Sequence, residues 1–193
     1  LLTAELAGLP HREDLETGSI FQNSAIPYDF PNRYTVCHRL ASTPLRPSWI
    51  RSPGRMQNTF ANESFLDEII ATIGADPLQF RLEHINDQRG AELLRRLGLL
   101  AKWEAHKVGN RGRGGNVLRG RGLSYVHYEL SRTYVGIVVD VEVDRKSGKT
   151  SVIRAWVVHD CGQIINPDGV RNQIEGCVIQ TVRRSLIEEL KVD

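Results

Sequence analysis

The chain has 193 residues, 40% of them hydrophobic, which is enough for a folded core in one or two small lobes. A formal net charge of +2, with 25% charged residues, gives no general preference for nucleic acid or another polyanion. Three scattered cysteines without a Cys-x-x-Cys pair argue against a disulfide scaffold and against a zinc or iron–sulfur site. No apolar stretch approaches the roughly 20 residues of a membrane-spanning helix.

The N-terminal part of the chain is rich in prolines and turn-forming residues, which predict irregular structure. Two prolines fall within residues 25–32, which we expect to form a loop. Three more fall within residues 43–53, which we expect to be extended or looped. Between these segments, Tyr34 and Val36 are typical of a strand within residues 33–40.

Three helices are predicted next. Apolar residues recur at helical spacing over residues 58–73 and predict a helix that ends at Gly74. Asp76 as the N-cap and Pro77 as the first helical residue predict a second helix. Leucines at helical spacing predict a third helix over residues 91–103.

The second half of the chain holds the clearest strand pattern. Apolar and polar residues alternate over residues 134–144 and predict a strand. A turn is expected over residues 145–149, and a returning strand over residues 152–158. The sequence as a whole therefore predicts an α+β fold, with helices and a sheet that contains this β-hairpin.

Residues 109–122 are rich in Gly and Arg, and we predict a joint between two lobe segments, residues 1–108 and 123–193. An RNA-binding module that uses residues 111–121 is a weaker alternative, because Arg-rich segments occur in RNA-binding proteins. The run is short and lacks interleaved aromatic residues. Together with the near-neutral net charge, this favours a solvated linker.

The run over residues 158–177 is the most informative part of the chain. It predicts a strand, a tight loop and a helix that begins at Pro167 and extends to about residue 190. The apolar stripe of this helix comprises Val170, Ile174, Val178, Val182 and Leu186. A separate face carries Gln173, Gly176, Cys177 and Gln180. Gly inside a helix costs about 1 kcal/mol relative to Ala, so we expect a close neighbour or ligand at Gly176.

Two motifs in this order carry a family resemblance. Residues 51–57 read Arg-x-x-Gly-x-x-Gln, and residues 160–176 contain Asp-x-Gly-x-x-x-Asn-Pro followed by Gln-x-Glu-Gly. They resemble the molybdopterin-binding subunit of the xanthine dehydrogenase and aldehyde oxidase family. The phrase Arg-Ser-Pro-Gly, together with Tyr-Asp-Phe-Pro-Asn at residues 28–32, looks most like the β subunit of isoquinoline 1-oxidoreductase and its membrane-associated aldehyde dehydrogenase relatives.

The resemblance implies a molybdenum-cofactor-binding domain in which both motifs contact the cofactor. In the family, the Arg-containing loop and the Gln of Gln-x-Glu-Gly lie near the oxygen ligands of the metal. The positions that inherit cofactor binding are Arg51, Ser52, Gly54, Gln57, Gln173 and Gly176. The family uses no protein side chain as a molybdenum ligand, so no metal ligand is expected.

The resemblance also implies a reaction and partners. Such enzymes hydroxylate an aldehyde or an N-heterocycle with oxygen from water, use a glutamate as base, and pass electrons to 2Fe–2S clusters on a partner subunit. The expected partners are that iron–sulfur subunit, the remainder of the molybdopterin subunit and the small substrate. Neither nucleic acid nor a membrane span in this chain is expected.

The family's base lies in a Gly-x-Gly-Glu-type loop, and a further cofactor loop reads Gly-Gln-Gly; this sequence contains neither. We therefore expect the chain to be part of a longer or split polypeptide, with the catalytic base outside it and no activity alone. Glu175 is interpreted as a structural helix residue. No catalytic residue is assigned within the chain.

The main alternative is a non-catalytic α+β remnant that has lost cofactor binding. It predicts that protein covers the face of Gln173 and Gly176. Asp160 is expected to support the loop that follows it rather than to act in catalysis. Cys161 and Cys177 are expected to be buried as small apolar side chains.

Overall fold

The computed structural model of the chain describes residues 7, 8, 21, 23–38, 51–105, 115–189 and 191. Within these residues, the fold is α+β, with helices before and after a three-stranded antiparallel sheet. In chain order the elements are α1 (Arg55–Ile73), α2 (Pro77–Glu83), α3 (Gln88–Leu100), β1 (Val117–Tyr128), β2 (Thr133–Asp144), β3 (Thr150–Asp160) and α4 (Pro167–Leu186). The strand suggested within residues 33–40 does not form over residues 33–38, and residues 39 and 40 lie outside the described part.

The predicted helices are confirmed, with shifted boundaries. The first begins at Arg55 rather than residue 58, and Gly74 ends it in a left-handed conformation with φ of 67°. The Asp76 side chain accepts the backbone N–H groups of Leu78 and Gln79 at 3.0 and 2.9 Å, as an N-cap should. The third helix, α3, begins at Gln88 because Asp87 caps it.

The predicted hairpin is also confirmed, as β2 and β3, but β1 was not predicted. Residues 117–122 of the expected joint form the first half of β1, whereas residues 109–114 lie outside the described part. Arg119 and Arg121 stand opposite Glu142 and Asp140 on β2 and pair with them at 2.9 and 2.6 Å. These cross-strand ion pairs explain how an Arg- and Gly-rich segment forms a strand.

The core lies between the helices and the sheet. Helix α3 packs on β2 and β3, while α1 contacts β1. Gly136 permits the close approach, because a Cβ there would lie 2.9 Å from Cδ2 of both Leu93 and Leu97. The buried apolar cluster joins Tyr28, Leu66, Ile70, Ile85, Ala91, Leu93, Leu94, Leu97, Ala101, Leu123, Tyr125, Tyr134 and Val138. Its members come from both predicted lobe segments, and the division into lobes stays a prediction.

A buried polar network ties α1, α2 and β1 together. The Glu63 carboxylate accepts hydrogen bonds from Tyr28 Oη at 2.7 Å, Arg81 Nε at 3.1 Å and the Tyr125 N–H at 2.9 Å. Arg81, which is fully buried, also pairs with Asp67 at 2.8 Å. Burial raises the pKa of Glu63, and Arg81 offsets part of that rise. Around Arg81, burial lowers the pKa, but the neighbouring carboxylates outweigh it and raise the pKa.

Candidate cofactor-binding cleft

The loop before α1 is a tight turn with two residues in the left-handed backbone region. Ser52 has φ of 59° and Gly54 has φ of 69°. This conformation is natural for Gly but uncommon for Ser. The Ser52 carbonyl accepts the N–H of Met56 at 3.2 Å, so the turn leads directly into the helix. The turn therefore fixes where Arg51 leaves the backbone.

Asn23 anchors this loop from below. Its Nδ2 donates to the Pro53 carbonyl at 3.0 Å, and its Oδ1 accepts from Nε of the buried Arg55 at 3.1 Å. The same Oδ1 accepts the N–H of Glu129 at 2.9 Å. Asn23 is itself buried and links the loop to the end of β1. No local pattern identifies it, because its partners are 30 or more residues away.

The loop between β3 and α4 is fixed at both ends by side chains. Asp160 accepts two hydrogen bonds of 2.6 Å from the Arg89 guanidinium and one of 2.9 Å from the Gly162 N–H. The Arg89 hydrogen bond is the main reason why the pKa of Asp160 falls to about 2. Asn166 caps α4 by accepting the Gly169 N–H at 2.9 Å. Asp160 therefore supports the loop, as expected.

The Arg51 side chain joins the loop before α1 to helix α4. Its Nη2 donates to Gln173 Oε1 at 3.0 Å, and its Nη1 donates to Cys177 Sγ at 3.0 Å. A second contact runs from Arg184 Nη1 to Met56 Sδ at 3.8 Å. The two sequence motifs, far apart along the chain, thus form one wall.

An open cleft of about 450 Å³ lies along this wall. Its described lining consists of Arg51, Asn172, Gln173, Gly176, Gln180 and Arg184. Both charged members are arginines, and the other side chains are amides. A Cβ built at Gly176 would meet no atom within 4 Å, so the glycine leaves the cleft open at its middle.

The structure brings some of the predicted site residues together and leaves others aside. Arg51, Gln173 and Gly176 line the cleft, while Ser52 and Gly54 shape the turn beside Arg51. Gln57 lies exposed in the first turn of α1 and is not part of the lining.

Two lining residues, Asn172 and Arg184, were missed in the sequence. Together with Gly176 and Gln180 they recur every fourth residue, so one row runs along α4. That four-residue period is the signal that could have identified them.

The cysteines differ from expectation. Cys161 is exposed and Cys177 is partly exposed. Cys161 lies in the loop after β3, and Cys177 faces the Arg51 guanidinium rather than the core. Among the described residues, no group of three His, Cys, Asp or Glu side chains could hold a metal ion. The described helices include none that is long and apolar enough to cross a membrane.

Comparison with known proteins identifies the family. Residues 102–193 match the family model of the molybdopterin cofactor-binding domain. A nicotinate dehydrogenase subunit of Pseudomonas putida is 37% identical over 180 residues, which are 89% of this chain and 15% of that protein. The chain belongs to the molybdopterin-binding subunits of the xanthine dehydrogenase and aldehyde oxidase family.

Two further relatives of this molybdopterin-binding chain match most of its length. The β subunit of isoquinoline 1-oxidoreductase of Brevundimonas diminuta is 35% identical over 145 residues, 75% of this chain and 18% of that protein. The membrane-bound aldehyde dehydrogenase (pyrroloquinoline-quinone) of Gluconacetobacter polyoxogenes is 27% identical over 168 residues, 79% of this chain and 21% of that protein. The chain thus spans about a fifth or less of these relatives.

The donor set of the cleft fits the cofactor of this family. Molybdopterin carries an anionic phosphate and a pterin whose edges both donate and accept hydrogen bonds. Side-chain amides such as those of Gln173 and Gln180 can also donate and accept at once. Guanidinium groups bind phosphate oxygens through paired N–H donors. The open space at Gly176 would let the ligand approach the helix backbone closely.

Proposed function

We propose that this chain forms one wall of the molybdopterin site in a molybdenum hydroxylase. That enzyme would oxidise an aldehyde or an N-heterocycle with oxygen from water. The observation that carries the proposal is the pair of hydrogen bonds from Arg51 to Gln173 and Cys177. This contact unites the two motifs in one cleft whose exposed donors suit the cofactor.

The residues of the chain have binding and orienting roles in this proposal. Gln173 and Gly176 would present an amide and open space to the cofactor. Arg51 would hold the loop with Ser52 and Gly54 against α4 and so fix the shape of the wall. When bound, molybdopterin with its molybdenum would supply the redox chemistry.

The catalytic base would come from outside this chain. The isolated chain is therefore expected to reduce no dye with aldehydes or isoquinoline. Electrons would leave through 2Fe–2S clusters on a partner subunit. Turnover by the purified chain alone would contradict this division of roles.

The substrate class follows from the relatives' names. Two are named for the N-heterocycles nicotinate and isoquinoline, and one for an aldehyde. We therefore propose an aldehyde or an electron-poor nitrogen heterocycle as the substrate.

The remnant hypothesis has less support. It requires protein to cover the face of Gln173 and Gly176, but both residues are exposed and line the cleft. The RNA-binding alternative also has less support. Arg119 and Arg121 pair with carboxylates on β2 instead of standing free.

The proposal is tested on the native enzyme that contains this chain, purified with its partner subunits. Molybdenum analysis, pterin fluorescence after oxidation, and turnover of nicotinate, isoquinoline and aldehydes in ¹⁸O-labelled water are the measurements. We expect molybdenum and pterin in the active enzyme, and ¹⁸O in the product. An active enzyme without molybdenum would rule the proposal out.

A further inference from the structure

The two arginines of the cleft differ in how fully their side chains are bonded. Arg51 donates from both terminal nitrogens to residues of α4. Arg184 donates only to Met56 Sδ, at 3.8 Å, and a thioether is a weak acceptor. No carboxylate within the described part of the chain pairs with Arg184. Its guanidinium is therefore the available cation in the cleft lining.

The neighbouring Arg183 provides an internal comparison. It pairs with Glu188 at 3.4 Å and does not line the cleft. Both arginines lie in the last turn of α4, where a cation interacts favourably with the negative end of the helix dipole. A role in helix stability would be shared by both residues, whereas a role in ligand binding would belong to Arg184 alone.

We propose that Arg184 binds a phosphate group of the ligand in this cleft. This inference rests on the proposed function, and it names the residue that would hold the anionic end. A guanidinium offers paired N–H donors that match two phosphate oxygens. Arg51 could serve that purpose only by breaking its bonds to Gln173 and Cys177.

The inference also fixes the direction of the ligand along α4. The row Asn172, Gly176, Gln180, Arg184 covers three intervals of four residues, roughly 18 Å at about 1.5 Å per residue. The phosphate would lie at the Arg184 end of this row. The amides and Gly176 would then face the uncharged hydrogen-bonding part of the ligand.

The first test measures binding of inorganic pyrophosphate to the full 193-residue chain by isothermal titration calorimetry. The variants are Arg184→Gln and, as matched control, Arg183→Gln. Loss of a charge-assisted hydrogen bond should raise the Kd of Arg184→Gln about tenfold, with Arg183→Gln within about twofold of the wild type. Equal weakening in both variants would mean general ion attraction and would overturn the inference, as would no binding by the wild type.

Arg184→Lys keeps the positive charge and guards against a folding defect in Arg184→Gln. It should bind pyrophosphate with an affinity between those of the wild type and Arg184→Gln, because lysine lacks the paired donors. Thermal unfolding of all variants checks the fold. If Arg184→Gln does not fold, Arg184→Lys with wild-type affinity overturns the inference.

The second test measures bound pterin in the native enzyme after gel filtration, for the wild type and the same two glutamine variants. We expect a lower pterin content in Arg184→Gln only. A wild-type enzyme without pterin would contradict the proposed function. Normal pterin in Arg184→Gln, together with unchanged pyrophosphate affinity, would overturn the role of Arg184 and leave the proposed function standing.

Discussion

The interface of α1, α2 and β1 and the cleft beside α4 both contain arginine and hydrogen-bonding side chains, but only the interface is closed. In the interface, Arg81 is fully buried and contacts Glu63, Asp67 and Tyr28. In the cleft, Arg184 contacts only a thioether within the described residues, and Gly176 faces open space. Buried polar groups that bond one another fix a fold, whereas exposed groups with few partners are free to bind a ligand.

The helices show the same difference. Six residues of α3 are buried, and the helix packs on the sheet. Helix α4 has no buried residue, and even its apolar stripe is only half-covered or exposed. Changes in the interface should therefore alter stability, and changes in the cleft should alter ligand binding.

The largest expected loss of stability follows Arg81→Ala. It leaves the Glu63 carboxylate buried without its cation, which should lower the free energy of unfolding by about 3–5 kcal/mol. Arg96→Ala is the control, because Arg96 pairs with Glu92 on the exposed surface and should contribute under about 0.5 kcal/mol. Urea unfolding of both variants gives the comparison. Similar losses in the two would contradict the closed interface.

A smaller loss is expected from Gly136→Ala. The new methyl group would lie 2.9 Å from side-chain atoms of Leu93 and Leu97, so overpacking should lower stability by about 1–3 kcal/mol. Gly122→Ala on β1 adds the same methyl where no atom lies within 4 Å, and should have little effect. The unfolding free energies from urea titration decide between close packing and a loose contact here.

Asp160→Asn should have a modest effect that depends on pH. The pKa of Asp160 falls to about 2 in the folded protein, below its ordinary value of about 3.9. The ion pair with Arg89 therefore stabilises the fold above about pH 4, and this contribution disappears as the pH falls towards 2. Because both side chains are partly exposed, we expect about 0.5–1 kcal/mol at neutral pH.

The measurement for Asp160→Asn is the difference in unfolding free energy from the wild type between pH 2 and pH 7. That difference should shrink on acidification, and added salt should reduce it at neutral pH. A difference that grows towards pH 2 would contradict the assigned ion pair.

The smallest effect on stability should come from Gly176→Ala, and its sign should be opposite. Ala favours an exposed helix interior over Gly by about 0.5–1 kcal/mol, and no atom obstructs the new methyl. Thermal unfolding should therefore show a slightly more stable chain. A destabilised variant would mean that Gly176 is needed for packing rather than for the openness of the cleft.

Local sequence patterns predicted most of the fold. Helical spacing, the Asp76 cap and the alternation in β2 are local signals, and the structure confirms each of them. Strand β1 was not predicted, because Arg119 and Arg121 are stabilised by carboxylates on another strand. A pattern of Gly and Arg carries no period that reveals such partners.

The cleft was predictable only in part. The motifs point to Arg51, Gln173 and Gly176, which the structure brings together. Asn23, which anchors the loop of Arg51, was not predicted, because its contacts depend on the tertiary fold. Arg184 follows from the four-residue period of α4 once Gly176 is placed in a cleft.

The role of α4 as a wall of a molybdopterin site is tested most directly by filling the cleft at its middle. Bound pterin per native enzyme should be measured for Gly176→Leu and for Ser185→Leu, an exposed α4 position outside the lining. We expect Gly176→Leu to lose most of its pterin while Ser185→Leu retains the wild-type content. Full pterin content in a folded Gly176→Leu enzyme would contradict this role.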